Sequence, residues 1–240
     1  MTREAQSRPG SQASWTLLLV AGAVSLGTVI RLLPLAFVGV ATPFHLGGLF
    51  VEFSQQIVAH GYRLPSRIPF YTDGGIPFAY PPLPFYLEAF LLHVCSFPKF
   101  AVVNLLPPLL AVAALLSFHA LTRQLSFDIP ARLFALWAYA TMPAAFQQQV
   151  QGGGLAESAG SLGLIWFAGS LVRARTLGTA RSYVRAGAFW AITVLASPGS
   201  AYASVPTAVI LASLQSKDRA RRAGLLALAA ATATVLTAPY

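Results

Sequence analysis

Acidic residues are scarce in this chain: seven Asp and Glu stand among 240 residues, against 16 Lys and Arg. Charged residues of both signs make up only 10%, where an ordinary soluble protein carries roughly 25%. There is one cysteine, Cys95, set inside an apolar run, which excludes a disulfide framework within the chain. No two histidines stand at metal-ligand spacing, and Walker, Rossmann and nucleophile-elbow signatures are missing. The first residues, "MTREAQSRPGSQAS", are basic and precede a long apolar run, but no small-residue cleavage site follows a short core. That argues against a cleaved signal peptide and for an uncleaved first helix. The net charge of +9 gathers at the ends of apolar runs. This distribution marks the loops of a membrane protein and excludes a nucleic-acid partner.

What the chain has in abundance is apolar length. Hydrophobic residues make up 56%, in runs from Trp15 to Val40, Leu83 to Phe97, Phe100 to Leu121, Arg132 to Phe146, Leu162 to Val172, Val184 to Ala196, Ala201 to Leu214 and Ala223 to Ala238. Several reach the roughly 17–25 residues that a spanning helix needs. A single soluble core of this size cannot hide so much apolar surface. The expectation is an all-α polytopic transmembrane bundle of about seven or eight membrane segments in the cell membrane, with the lipid bilayer as its partner. Residues 1–14 read as a cytoplasmic tail and residues 15–240 as the transmembrane domain, expected to be the N-terminal part of a longer protein.

The one long polar excursion runs from Val40 to Pro82. Within it Leu46, Leu49, Phe50, Phe53 and Ile57 fall on one helical face, with Glu52, Gln55 and Gln56 elsewhere. That spacing predicts an amphipathic helix near Leu46–Ala59 lying in the membrane interface. Gly61 reads as its C-cap and Pro65 as its stop. Asp73-Gly74-Gly75 supplies a sharp turn, and Pro81-Pro82 is a rigid lead into a helix starting near Leu83. Tyr80, Phe85 and Tyr86 sit at the depth where amphipathic rings meet a membrane surface. Further on, "QQQVQGGGLAES" is a polar triple-glycine loop, "RARTLGTARSYVR" is basic with no acid, and "SPGS" breaks a long run as a short re-entrant or hairpin turn.

Loop charges set an orientation. The basic loops Arg173–Arg185 and Lys217–Arg222 belong in the cytoplasm, which puts the triple glycine and "SPGS" outside. A cytoplasmic N-terminus puts the first loop outside too. The two placements conflict if Leu83–Phe97, Phe100–Leu121 and Arg132–Phe146 all cross. Leu83–Phe97 is short, which points to a partial or strongly tilted segment.

The acids divide by context. Glu4 and Asp218 lie in basic segments as solvated charges, and Asp128, between Arg123 and Arg132, reads as a surface ion pair. Glu88 lies inside an apolar segment, where a charge is costly and a paired or functional role is expected. Glu52 is on the polar face of the interfacial helix. Asp73 heads its turn beside the loop, and Glu157 suits the positive end of the helix after the glycines. Among the histidines, His93 and His119 read as packed, His60 as a helix C-terminal partner, and His45 as the candidate to test. Gly152, Gly153 and Gly154 offer backbone N–H groups to a phosphate, although close helix packing also selects glycine.

Several of these stretches carry a resemblance. "GLFVEFSQQIVAHGYRLP" followed by "GGIPFAYPPLPFYLEAFL" resembles the first external loop of the GT-C superfamily of integral membrane glycosyltransferases, in the layout of protein mannosyltransferases and lipid A aminoarabinose transferases. "TPFHLGG", "MPAAFQQQVQGGGLAESAG" and "LASPGSA" are similar to the family labelled 6-pyruvoyl-tetrahydropterin synthase-related membrane domain, which has a GT-C-like layout. The resemblance implies transfer of a sugar from a polyprenyl-phosphate donor at the outer membrane face. It calls for a carboxylate acting as base or holding a divalent metal; the cofactor itself is not specified. The position where such enzymes usually carry an aspartate reads "FHLGG" here, with His45 nearest. Glu52 and Asp73 are therefore the candidate catalytic acids, and His45, Tyr80, Gly152, Gly153, Gly154 and Glu157 the candidate substrate-binding residues. A non-catalytic scaffold with the same fold, or a transporter built on broken helices, are the alternatives.

Overall fold

In the computed structural model, residues 9–42, 46–69, 73–150, 154–213 and 219–238 are described. A long first helix, α1 (Pro9–Val38), leads into a platform of α2 (Gly47–Ala59), the strands β1 (Arg67–Ile68) and β2 (Ile76–Pro77), and α3 (Leu83–His93). The strands pair antiparallel, Arg67 opposite Pro77 and Ile68 opposite Ile76, a minor exception to the expected all-helical chain. Then follow α4 (Lys99–Gln124), α5 (Ile129–Thr141), a 3-10 turn at Pro143–Ala145, α6 (Gln147–Val150), α7 (Leu155–Leu177), α8 (Ala180–Ala196), α9 (Pro198–Ser213) and α10 (Arg219–Thr237).

Local chemistry sets the boundaries. At the end of α2 the Gly61 N–H donates to the Val58 carbonyl (3.0 Å) and the Tyr62 N–H to the Ile57 carbonyl (2.8 Å). With Gly61 at φ +63°, this is the paired-bond C-terminal motif in which a left-handed residue satisfies orphan carbonyls. Helix α3 begins at Leu83, directly after Pro81-Pro82, as its sequence predicts. Asp128 caps α5 by accepting from the Ala131 N–H at 3.0 Å. The expected ion pair of Asp128 is thus replaced by a cap, because a carboxylate at this position serves the free N–H groups of the first turn. Pro198-Gly199-Ser200 opens α9 directly after Ser197, so "SPGS" is a helix start and not a re-entrant turn. Gly178, at φ +63°, ends α7, and Thr179 caps α8.

Side-chain contacts fix the helix directions. Asn104, early in α4, donates to the carbonyls of Gly39 (3.2 Å) and Thr42 (2.7 Å), so α4 starts where α1 ends. Arg31 reaches the carbonyls of Tyr139 and Ala140, so α1 and α5 run parallel. The Trp166 indole donates to Ser117 Oγ at 3.0 Å and Gly169 faces Gln124, so α7 runs parallel to α4. Glu157 at the start of α7 meets Ser197 at the end of α8, and Arg221 of α10 donates to the Gly178 carbonyl. One end of the bundle therefore gathers the platform, the start of α7 and the end of α8. The opposite end gathers Arg123, Arg132, Arg173, Arg175, Arg181, Arg185 and Arg221.

The main core lies between α4, α7, α8 and α10, around Leu121, Phe167, Leu171 and Tyr183. The outer surface is apolar: Phe37 is 81% exposed, Phe134 78% and Tyr202 81%. Among the described residues three helices, over Ala13–Phe37, Lys99–Gln124 and Leu155–Leu177, are long and apolar enough to cross a bilayer. Apolar side chains facing outward along such helices belong against lipid, and the chain is a membrane protein.

Candidate functional site

The platform is built on one aromatic cluster. Phe50, Phe53, Ser54 and Ile57 are buried at helical spacing on α2. Phe50 and Phe53 each meet Phe85 of α3 with ring centroids 5.2 Å apart, and Phe53 meets Phe78 at 5.0 Å. Tyr80 lies edge-on to Phe50 at 5.4 Å while staying partly exposed. These separations fall in the range where aromatic pairs attract, and each buried Phe contributes about 1.5–3 kcal/mol. The sequence assigns Tyr80, Phe85 and Tyr86 to a membrane surface; Phe85 is instead fully buried, because it is part of the core that fixes α2 on α3. The turn after β1 is pinned by Arg67, whose guanidinium donates to the Gly74 carbonyl at 2.7 Å. Gly75 is at φ +69°, and a Cβ there would press on the Ile68 carbonyl.

The acids of the platform differ sharply in environment. Glu52 is half-buried and accepts from Gln56 Nε2 at 2.7 Å, one turn along its own helix. Asp73 is exposed at the start of its turn. Glu88 is wholly buried, and Ser54 Oγ donates to its carboxylate at 2.8 Å across the α2–α3 interface. Its other carboxylate oxygen has no hydrogen-bond partner among the described residues. Burial pushes the Glu88 carboxyl up to about 7, against the opposing Ser54 bond.

The start of α7 forms the second half of this end. The half-buried Glu157 accepts from Ser197 Oγ at 3.1 Å. Ser158 Oγ donates to the carbonyls of Gln149 (2.9 Å) and Gly154 (2.7 Å), and Gln149 Nε2 donates to Ser161 Oγ at 2.8 Å. Gly154 is needed for space, since a Cβ would overlap the Gln148 and Gln149 carbonyls. Gly160 likewise admits Ser197 and Ser200. Helix α3 packs on α2 and α4 and touches α7 and α8, which puts the platform beside the Glu157 region. No hydrogen bond joins Glu52, Asp73 or Tyr80 to Glu157 among the described residues. His45, Gly152 and Gly153 lie outside the described residues. Among the described residues no three of His, Cys, Asp and Glu come together as a metal-holding group.

Sequence reading missed the Glu88–Ser54 and Glu157–Ser197 partnerships. Their members stand 34 and 40 residues apart, beyond any local pattern. A signal existed for the second pair, since both residues sit in stretches, "GGGLAESAG" and "LASPGSA", singled out as motifs.

Fold and site together define a helical membrane protein with an acid-bearing loop platform at one end and a basic opposite end. The structure is similar to archaeal oligosaccharyltransferase AglB from Archaeoglobus fulgidus, solved in complex with an inhibitory peptide and a dolichol-phosphate, with a TM-score of 0.75 and 20% sequence identity. The match covers 95% of this chain and 30% of that one, so the chain spans under a third of the length of its structural neighbour. At this identity the likeness is one of fold. No protein-family model matches the chain, and no curated protein matches it.

Proposed function

We propose that the chain is the transmembrane part of a GT-C-type glycosyltransferase that transfers a sugar from a polyprenyl-phosphate donor at the outer face of the cell membrane. The observation that carries this reading is the fold likeness to AglB over 95% of the chain, which includes the α2–hairpin–α3 platform. That neighbour was solved with a dolichol-phosphate, a lipid-linked phosphate of the proposed donor class. In this reading Glu52 or Asp73 takes the proton of the attacking acceptor as the new glycosidic bond forms and the lipid phosphate leaves. Tyr80 and Pro81-Pro82 make the wall beside the donor; His45, Gly152–Gly154 and Glu157 hold its polar end.

Membrane placement follows from helix length and direction. Helix α3 has 11 residues, about 16 Å, half the roughly 30 Å of a hydrocarbon core. With α3 lying at the interface beside α2, seven helical segments cross: α1, α4, the α5–α6 segment, α7, α8, α9 and α10. All the basic loops then fall in the cytoplasm and the platform outside.

The test uses the full chain with a polyprenyl-phosphate sugar. Glu52→Gln or Asp73→Asn is expected to lower transfer by about 10²–10⁴ while folding survives. Normal transfer by both variants would reduce the platform to architecture. The scaffold alternative is favoured by the missing aspartate at "FHLGG", and an inactive wild type would select it.

A further inference from the structure

A cavity lies at the basic end, opposite the proposed active site. It is a groove of about 630 Å³ between α4, α7 and α8. Its walls are Leu121, Ile165, Trp166 and Phe189, and its rim carries Arg173, Arg181 and Arg185, all three exposed. The groove exists because α7 places Gly169 and Ser170 opposite the end of α4, where larger side chains would close it. Trp166 and Phe189 meet edge to face at 5.8 Å, and the Arg185 guanidinium lies 5.8 Å from the Phe189 ring. Trp166 points its N–H at Ser117, so its remaining ring surface is open to the groove. None of the three rim arginines meets a carboxylate among the described residues.

We infer that this groove binds the headgroup and upper acyl chain of an anionic glycerophospholipid from the leaflet on the basic side. Charge complementarity selects the occupant: guanidinium groups pair with phosphate oxygens through two parallel bonds. The apolar and aromatic walls suit the glycerol and first methylenes beneath the phosphate, at the depth where Trp rings settle. A free phosphate would leave those walls against water. The site lies at the other end of the bundle from the platform and does not depend on glycosyl transfer.

The experiment is thermal unfolding of the purified full chain in detergent, titrated with phosphatidylglycerol, phosphatidylcholine or inorganic phosphate. Phosphatidylglycerol is expected to raise the midpoint saturably, and the other two to leave it unchanged. Arg173→Gln, Arg181→Gln and Arg185→Gln should each weaken the apparent affinity by about fivefold and together by roughly a hundredfold. Gly169→Leu separates a groove from mere surface charge. A Cβ at Gly169 meets only ordinary contacts, the nearest being Gln124 Oε1 at 3.5 Å. The added side chain should fill the groove with every arginine in place, and abolish the phosphatidylglycerol shift. Arg63→Gln, on the platform, should keep the wild-type shift. An equal shift from phosphatidylcholine or inorganic phosphate would overturn the inference, as would no shift with phosphatidylglycerol. So would wild-type affinity in the triple arginine variant or in Gly169→Leu.

Discussion

A carboxyl buried with one hydroxyl partner, as Glu88 is with Ser54, holds its proton to higher pH than the same group in an unfolded chain. Glu88 is wholly buried, and its carboxyl is raised from about 4.5 to about 7 by burial. Between those values the folded chain keeps a proton that the unfolded chain has released. Stability therefore falls as pH rises through this window, by about 1.4 kcal/mol per pH unit and roughly 3 kcal/mol in all, then levels off above it. Glu88→Gln keeps an oxygen to accept the Ser54 hydroxyl but cannot ionise. Chemical denaturation from pH 4.5 to 8 should show the slope in the wild type and a flat profile for this contribution in Glu88→Gln. Parallel profiles would mean that water or a cation reaches Glu88. The sequence marks Glu88 as needing a partner, since an acid inside an apolar run is costly. It has no means of naming Ser54, one helix away.

At the level of elements, what was legible in the sequence is what local chemistry decides. The apolar face of α2, the Gly61 stop and the Pro81-Pro82 lead into α3 all follow from spacing and backbone preference. What escaped is decided by packing between distant elements. Arg31 shows this well: it is fully buried and donates to the carbonyls of Gly27, Ala140 and Tyr139, each at 3.0 Å. Its guanidinium also lies 5.0 Å from the Phe146 ring and 5.5 Å from the Tyr139 ring. The Tyr139 carbonyl lacks its usual helical donor because residue 143 is proline and has no N–H. Arg31 supplies that bond and joins the C-terminal end of α5 to α1, where a cation suits the helix dipole. Arg31→Met should cost roughly 2–3 kcal/mol through the unsatisfied carbonyls, and Arg31→Lys should restore only part, since one ammonium cannot span both helices. The midpoint of denaturation in detergent measures both. Equal stability of Arg31→Met and the wild type would mean that α1 is held by its apolar contacts alone.

At the scale of the whole molecule, the conflict between loop charge and segment count rests on α3. Counted as a crossing, it would put the α4–α5 and α7–α8 connections on the same side as the platform. As an 11-residue element packed on α2, it leaves an alternation in which the C-terminal ends of α4 and α7 share one face. Hydropathy alone could not separate these cases, because the side of α3 that packs on the platform is as apolar as a side facing lipid. The chain's single cysteine makes the topology testable without a tag on the platform. Cys95 is exposed in the connection between α3 and α4 and should react with a membrane-impermeant maleimide added to intact cells. In a Cys95→Ser background, Thr176→Cys places a thiol near the end of α7, beside Gly178. That thiol should react only after the membrane is permeabilised. The reversed pattern, with Cys95 protected and Thr176→Cys labelled on intact cells, would mean that α3 crosses the bilayer, and would put the platform and the basic groove on one face.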